Sequence, residues 1–113
     1  MVTDYIPARN DLIWLEFSPQ AGHEQAGHRP ALVLSPYDYN RKSGLALVCP
    51  ITTKTKGYPF DVHLPDGLPI SGIVQSDQLR SLDWRQRKAR LIGQVPHCLV
   101  YAVLDRIAPL LGL

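Results

Sequence analysis

The sequence of 113 residues has few cysteines and no long apolar run. Its two cysteines, Cys49 and Cys98, form neither a CxxC pair nor a cluster with histidines at zinc-ligand spacing. We therefore expect reduced thiols in a cytoplasmic protein, with neither a metal site nor another cofactor. No stretch reaches the roughly 18 apolar residues of a membrane-spanning helix. Residues 1–5 lack the basic head of a secretion signal, so we expect no such signal. Since an apolar run is missing as well, we expect no contact with membranes.

The excess of positive over negative charge is also small. The net charge is +2, which argues against a bulk polycation. The cations are instead concentrated in one short stretch. Within eleven residues, five cations occur with one acid and one tryptophan: Arg80, Asp83, Trp84, Arg85, Arg87, Lys88 and Arg90. Such a strip suits a phosphate backbone with stacked bases, and a solvated protein surface is the alternative interpretation.

The length predicts a single domain over residues 1–113. Strand-like runs are separated by turns and lie at residues 11–17, 31–35, 45–51, 59–64 and from 72 onward. This density of short strands favours a mainly β (α+β) fold, built as a small antiparallel barrel. Pro50 indicates an edge or a bulge near the end of the third run. Residues 37–44 are interpreted as a polar turn.

The end of the chain has a different period. Apolar residues recur every three to four positions over residues 99–111, with Pro96 before them and Pro109 near their end. We therefore predict a C-terminal helix. Its apolar surface is wider than one buried face requires, which indicates a homodimer or a docked partner.

Two polar loops carry most of the chemistry. The first, residues 22–30, contains two imidazoles, a carboxylate, an amide and a guanidinium, and Pro30 restricts Arg29 to extended conformations. The second, residues 52–58, combines hydroxyls with two lysines and contains no acid. Both compositions favour binding of an anion such as a phosphodiester.

Several short motifs follow one another along the chain: Asp11-Leu12-Ile13-Trp14, Gly22-His23-Glu24-Gln25, Gly27-His28-Arg29-Pro30-Ala31, Val33-Leu34-Ser35-Pro36, Lys56-Gly57-Tyr58-Pro59-Phe60, Ser76-Asp77-Gln78 and Ser81-Leu82-Asp83-Trp84. In this order the sequence resembles MazF/PemK-type toxins of bacterial toxin–antitoxin systems. Three features depart from that pattern, one of them the replacement of the acidic start usual for the last helix by Pro96-His97-Cys98. Asn10 stands where the family usually has glycine, and Gln75 stands where the PemK branch carries an arginine.

The resemblance implies an SH3-like barrel of the CcdB/MazF type, forming a symmetric homodimer. It also implies an mRNA interferase, an endoribonuclease that cleaves single-stranded RNA at short specific sequences without metal. The products would carry a 2′,3′-cyclic phosphate and a 5′-hydroxyl. A cognate MazE-like antitoxin, whose acidic C-terminal tail lies over the RNA site, would inhibit the enzyme.

Metal-independent cleavage of RNA uses the 2′-OH as nucleophile and needs a base, donors for the charged phosphorane, and an acid for the leaving oxygen. Arg29 is the preferred residue for stabilising charge, because its planar guanidinium matches phosphate oxygens. Thr52 can donate its hydroxyl to the same phosphate. Glu24 can accept the 2′-OH proton, orient Arg29 or contact a base edge; a neighbouring guanidinium would lower its pKa and weaken it as a base.

His23 and Asp77 are further candidates for proton transfer, with an inert surface histidine and a strand-end carboxylate as the structural alternatives. A third group is expected to bind RNA rather than to react: Gln25, His28, Thr53, Lys54, Lys56, Tyr58, Gln78, Arg85 and Arg87.

Two other functions remain open at this point. A CcdB-like poison of DNA gyrase on the same fold acts through a terminal Trp-Gly pair, and the absence of tryptophan from residues 109–113 counts against it. An RNA-binding barrel without catalysis would explain the basic strip but not the combination of Arg29, Thr52 and Glu24. Incubation with single-stranded RNA in EDTA separates these alternatives.

Overall fold

The computed structural model describes residues 5–17, 27–54 and 57–113, and in this part the chain forms seven strands and two α-helices. The strands are β1 (Asp11–Phe17), β2 (Gly27–Val33), β3 (Leu45–Thr52), β4 (Asp61–His63), β5 (Ile73–Gln75), β6 (Arg80–Asp83) and β7 (Arg90–Gln94). The helices are α1 (Tyr37–Ser43) and α2 (His97–Ile107), and 3₁₀ turns occupy Ser76–Gln78 and Ala108–Leu111. The predicted mainly β fold with a C-terminal helix is confirmed.

All strand pairs are antiparallel, in the order β4-β5-β3-β2-β1-β7, with β6 beside β3. β3 organises the sheet because it pairs with three strands. It pairs with β6 over its first half, with β5 at its last two residues, and with β2 at residues 48–50. The end of β3 therefore lies where several chain segments meet.

Apolar side chains pack on both faces of this sheet. The helix-side core contains Leu12, Leu32, Leu34, Cys49, Ile51, Val62, Leu64, Val74, Val95, Leu99, Val100, Val103 and Ile107. The opposite core contains Ile13, Leu15, Ala31, Val33, Ala46, Val48 and Trp84. Alternate residues of β1 and β2 point into different cores, as the two-residue period of a strand requires.

α2 begins directly after Pro96 and buries Leu99, Val100, Val103 and Ile107 against the sheet. These positions recur at helical spacing, which confirms the predicted C-terminal helix. Of the remaining apolar residues, Tyr101 is 62% exposed and Leu111 is 66% exposed. No helix in the described ranges is long and apolar enough to cross a membrane.

The prediction of a polar turn at residues 37–44 was wrong, because most of this segment forms α1. Pro36 lies in the extended region before the helix, and Gly44 ends it with a left-handed φ of 76°. Of the seven helical residues only Asn40 is buried, so the sequence shows no apolar period of the kind that predicts a helix.

The turn before β1 depends on Asn10 and Asp11. Asn10 has a φ of 83°, a left-handed conformation that asparagine adopts more readily than most residues other than glycine. The buried carboxylate of Asp11 accepts hydrogen bonds from the Tyr5 hydroxyl, from the Ala8 N–H at 3.0 Å and from Gln94 Nε2 at 3.0 Å. Burial raises the pKa of the Tyr5 hydroxyl, and its hydrogen bond to Asp11 adds to the rise. Asp11 therefore fixes the lead-in segment and β7 to the start of β1.

Candidate active site

A cleft of about 620 Å³ opens at the meeting point of β1, β2 and the end of β3. Its described lining consists of Trp14, Arg29, Pro30, Ile51, Thr52, Thr53, Lys54, Pro69, Ile70 and Ser71. Two cations and three hydroxyls are in this set, and none of these ten residues is acidic. The cleft is thus suited to a negatively charged ligand.

The sheet register brings Arg29 and Thr52 together. The observed pairs of β2 and β3 end at Ala31 and Pro50, and Arg29 and Thr52 each lie two residues beyond that pair. Both residues therefore line one cleft. The prediction of a loop over residues 22–30 was wrong at residues 27–30, because these residues and Arg29 with them belong to β2, while Thr52 is the last residue of β3.

The hydroxyl of Thr52 is oriented by the turn that follows it. The Lys54 N–H donates to Thr52 Oγ1 at 3.1 Å. Because this bond uses the oxygen as an acceptor, the hydroxyl proton can still be donated to a ligand. Thr52 is half-buried, whereas Arg29, Thr53 and Lys54 are exposed. The geometry is that of an anion site with one oriented neutral donor and two cations.

The far wall of the cleft was not predicted. Residues 69–71 reach it from the segment between β4 and β5, and Trp14 reaches it from β1. Gly72 holds this segment close to Thr52: a methyl group there would lie 2.8 Å from the Thr52 carbonyl oxygen. In the sequence, only the glycine at position 72 indicates such a close approach, because glycine has no side chain to prevent it.

Asp77 and Gln78 do not line this cleft. Both are exposed on the 3₁₀ turn Ser76–Gln78, and Asp77 lies near Cys49. Burial raises the pKa of the Cys49 thiol to about 12, and the charge of Asp77 contributes to the rise. The roles predicted for Asp77 and Gln78 stay predictions.

Arg85 and Arg87 lie on the turn between β6 and β7 rather than on the cleft. The Arg85 guanidinium stacks 4.9 Å from the centre of the Trp84 ring. Arg87 Nη1 donates to the Glu16 carbonyl oxygen at 3.4 Å, and the Glu16 N–H donates to the Arg87 carbonyl at 2.8 Å. These contacts give the two arginines structural roles, which leave the predicted RNA contacts untested.

The remaining predicted residues divide into two groups. His28 is exposed in β2 opposite Glu16, and Tyr58 is exposed at the end of the second loop; neither lines the cleft. Glu24, His23, Gln25 and Lys56 lie outside the described residues. Within residues 5–17, 27–54 and 57–113, no three side chains of the metal-binding types come together.

Comparison with known proteins identifies the family. Residues 8–111 match the family described as PemK-like, MazF-like toxin of type II toxin-antitoxin system. The Endoribonuclease toxin MazF of Escherichia coli (strain K12) is 46% identical over 112 residues, which cover 99% of this chain and 100% of that protein. The Endoribonuclease PemK of Escherichia coli is 36% identical over 107 residues, covering 88% of this chain and 78% of that protein. A crystal structure of MazE-MazF from Deinococcus radiodurans superposes with a TM-score of 0.92 at 51% identity, covering 97% of this chain and 99% of that one. The chain belongs to the PemK-like, MazF-like toxins of type II toxin–antitoxin systems.

Proposed function

We propose that this protein is a toxin endoribonuclease that cleaves single-stranded mRNA at short specific sequences. Its relatives in Escherichia coli are named as endoribonucleases, at 46% identity over nearly the whole chain in one case. The observation that carries the proposal is the convergence of Arg29 and Thr52 on a cleft whose described lining includes no acid. A guanidinium beside a hydroxyl donor in such a cleft is suited to a phosphodiester.

In the proposed reaction, the ribose 2′-OH attacks the adjacent phosphorus atom and the bond to the 5′-oxygen breaks. The fragments end in a 2′,3′-cyclic phosphate and a 5′-hydroxyl. Arg29 donates to the phosphate oxygens that gain charge in the phosphorane, and the Thr52 hydroxyl donates alongside it. No step requires a metal ion.

The reaction also moves two protons. One leaves the 2′-OH as it attacks, and one joins the departing 5′-oxygen. A guanidinium hardly ever loses its proton, so Arg29 is assigned to charge stabilisation rather than to proton transfer. The candidates for the two transfers are Glu24, His23 and Asp77, and Gln75 cannot reproduce an arginine-based transfer.

We further propose that an antitoxin of the MazE type neutralises the protein through an acidic segment. The related Deinococcus radiodurans toxin was crystallised with MazE. The cations Arg29 and Lys54 in the cleft would attract carboxylates as they attract phosphates. An acidic chain could thereby occlude the RNA site.

The proposed assembly is a symmetric homodimer of SH3-like barrels. Pairing of β3 with three neighbours supports a strongly curved sheet. Exposed leucines in the segment after α2 supply apolar surface for a second copy: Leu110, Leu111 and Leu113.

The substitution Arg29→Ala tests the catalytic proposal. Because the side chain is exposed at the cleft, its removal should spare folding and lower the cleavage rate by at least about 100-fold, as for loss of a transition-state donor. The measurement is cleavage of single-stranded RNA in EDTA, with the ends mapped and their chemistry identified.

Arg41→Ala is the matched control, since Arg41 is an exposed arginine on α1 outside the cleft. It should cleave at the wild-type rate. Wild-type activity in Arg29→Ala at equal folded fraction would refute the proposed role of Arg29. Bound but intact RNA with the wild-type protein would instead indicate a binding module without catalysis.

A further inference from the structure

The last residues of β1 extend past the point where β7 stops pairing with it. On the β7 side, the last pair joins Trp14 to Arg90. On the other side, β2 continues to pair with β1 as far as Phe17. Within the described residues, Glu16 therefore has a strand neighbour in β2 but none on the β7 side.

Arg87 takes the place of that missing strand neighbour. The Glu16 N–H donates to the Arg87 carbonyl at 2.8 Å, and Arg87 Nη1 donates to the Glu16 carbonyl at 3.4 Å. Two facing residues of an antiparallel pair exchange the same two bonds. Here the guanidinium replaces a main-chain donor, because the Arg87 N–H already donates to the Asp83 carbonyl at 3.1 Å. Lys88 adds only an exposed ion pair to Glu16 at 3.8 Å, which contributes little.

The turn that carries Arg87 is fixed by its own contacts. Asp83 Oδ1 accepts a hydrogen bond from the Gln86 N–H at 2.9 Å, and the Ala89 N–H donates to the Trp84 carbonyl at 3.0 Å. The Trp84 side chain is buried in the core on the face opposite the helix. Arg87 therefore projects from a rigid support, as a positioning role requires.

The end of β1 in turn adjoins Arg29. Main-chain N–H and carbonyl groups of successive residues point to opposite edges of a strand. Since those of Glu16 point to Arg87, those of Leu15 point to β2, where Leu15 faces Arg29. A displacement of the end of β1 would therefore displace the main chain of Arg29.

We propose that Arg87 is a positioning residue for RNA cleavage: it holds the end of β1 in place, and β1 sets the position of Arg29. This inference rests on the proposed function of the cleft that contains Arg29. Arg87 itself is not part of the described lining of the cleft. Its role is thus distinct from the RNA contact that the sequence predicts for the same residue.

The kinetics of Arg87→Ala test this role. The measurement is steady-state cleavage of a single-stranded RNA oligonucleotide in EDTA, at equal folded fraction. Because a small misplacement of a group that stabilises the transition state is costly, kcat should fall by about 10- to 100-fold. KM should stay near its wild-type value, because the cations of the cleft remain beside the RNA.

The salt dependence of binding separates positioning from direct contact. The probe is an RNA with a 2′-deoxy group at the cut position, which cannot be cleaved because it lacks the nucleophile. Its affinity for Arg87→Ala should show the wild-type salt dependence. A lost phosphate contact would instead lower the slope of log affinity against log salt by about 0.7.

Arg87→Lys is a second variant that keeps the charge. The terminal nitrogen of lysine lies one atom closer to the main chain, so the bond to the Glu16 carbonyl is lost. Its kcat should fall by about tenfold, whereas a phosphate contact would tolerate lysine. Wild-type kcat in either variant, or a lower salt slope in Arg87→Ala, overturns the positioning role.

Arg106→Ala is the matched control. Arg106 Nη1 also donates to a main-chain carbonyl, that of Ala102 at 3.3 Å, but it lies on α2 and outside the described lining of the cleft. At equal folded fraction this variant should keep the wild-type kcat and KM.

Amide hydrogen exchange tests the support of β1 without RNA. In Arg87→Ala, the N–H groups of Leu15 and Glu16 should exchange at least about tenfold faster, because the end of the strand opens locally. The Leu12 N–H, at the start of β1, should keep its wild-type rate. Unchanged exchange at Glu16 overturns the proposal. If the wild-type protein cuts no RNA, the proposed function fails, whereas the exchange result still decides whether Arg87 supports β1.

Discussion

Thr52 shows how a single residue is prepared for its proposed role. The Lys54 N–H donates to its side-chain oxygen at 3.1 Å. On its other side, Gly72 lies so close that a methyl group would be 2.8 Å from the Thr52 carbonyl oxygen. The position of the hydroxyl thus depends on a main-chain turn and on a glycine from a distant segment.

The substitution Gly72→Ala should therefore impair both stability and activity. Gly72 has a φ of +146°, and the added methyl group would also meet Ile51 Cγ2 at 2.9 Å. We expect a loss of about 2–4 kcal/mol from backbone strain and overpacking. The displaced Thr52 should also lower the cleavage rate. Urea unfolding and cleavage assays at equal folded fraction measure the two effects.

Gly67→Ala separates strain from the steric contact. Gly67 also has a positive φ, +95°, but nothing lies within 4 Å of the methyl group that it would gain. It should lose about 1 kcal/mol from backbone strain and keep its cleavage rate. Equal activity in the two variants would contradict a positioning role for Gly72.

At the residue scale, the sequence predicts the charged and hydroxyl residues of the cleft better than its apolar residues. Arg29 and Thr52 belong to sequence segments whose composition favours an anion, and the resemblance to a toxin family supports the same pair, although the structure places them in β2 and at the end of β3. Trp14 and residues 69–71 have no such local pattern, because they meet only after β1 and the segment before β5 have packed beside β3. Long-range proximity of this kind leaves no periodic signal in the sequence.

Among the elements, α1 is important for its hydrogen bonds rather than for apolar burial. Asn40 Nδ2 donates to the Pro7 carbonyl at 2.8 Å and to the Ser35 carbonyl at 3.1 Å, and its Oδ1 accepts from Ser35 Oγ at 2.5 Å. Its main-chain carbonyl accepts from Trp84 Nε1 at 3.0 Å. One helical residue thus joins the lead-in segment, the end of β2 and the turn after β6.

We predict that Asn40→Ala lowers the free energy of unfolding by about 2–4 kcal/mol. The substitution leaves two buried carbonyls and a hydroxyl without their partner, and each such loss is costly. Asp38→Ala, in the exposed first turn of the same helix, should change stability by less than about 0.5 kcal/mol. Denaturant unfolding of both variants is the measurement. Similar small effects in the two would refute the importance of Asn40.

β3 shows why one sequence rule failed at the element scale. Pro50 predicts an edge or a bulge, yet it lies inside a strand that pairs with three others. The N–H and carbonyl of Leu47 bond to Ser35 Oγ and to the Leu34 N–H, on the β2 side. Since these groups alternate along a strand, the nitrogen of Pro50 points away from β2.

On the edge of β3 that faces away from β2, the pairs with β6 end at Val48 and the pairs with β5 begin at Ile51. The missing N–H of Pro50 therefore falls in the gap between two neighbours, where the ladder does not need it. This change of neighbour cannot be predicted from strand patterns alone. The period of α2 and the alternation of β1 can be predicted, because each reflects one buried face.

For the whole molecule, charged and apolar surfaces occupy different regions. The cationic cleft lies at the end of β3. A second cavity of about 450 Å³ lies between α1 and the end of α2. Its lining is mainly apolar and consists of Arg9, Leu34, Ser35, Pro36, Tyr39, Leu47, Leu79, Leu104, Ile107 and Leu111. Leucines beside a cavity of this kind are more favourable against a second copy than in water.

If two copies associate through this surface, Leu111→Glu should dissociate them. Burial of one leucine contributes about 1.5–3 kcal/mol, and a symmetric dimer would lose that contribution twice. We therefore expect the dimer dissociation constant to rise by more than about 100-fold, measured by sedimentation at several protein concentrations. Leu91→Glu is the control, because Leu91 is also about half exposed (51%) but lies on β7, outside this cavity. A dimer that Leu111→Glu leaves intact would show that the 3₁₀ turn after α2 faces solvent in the assembly.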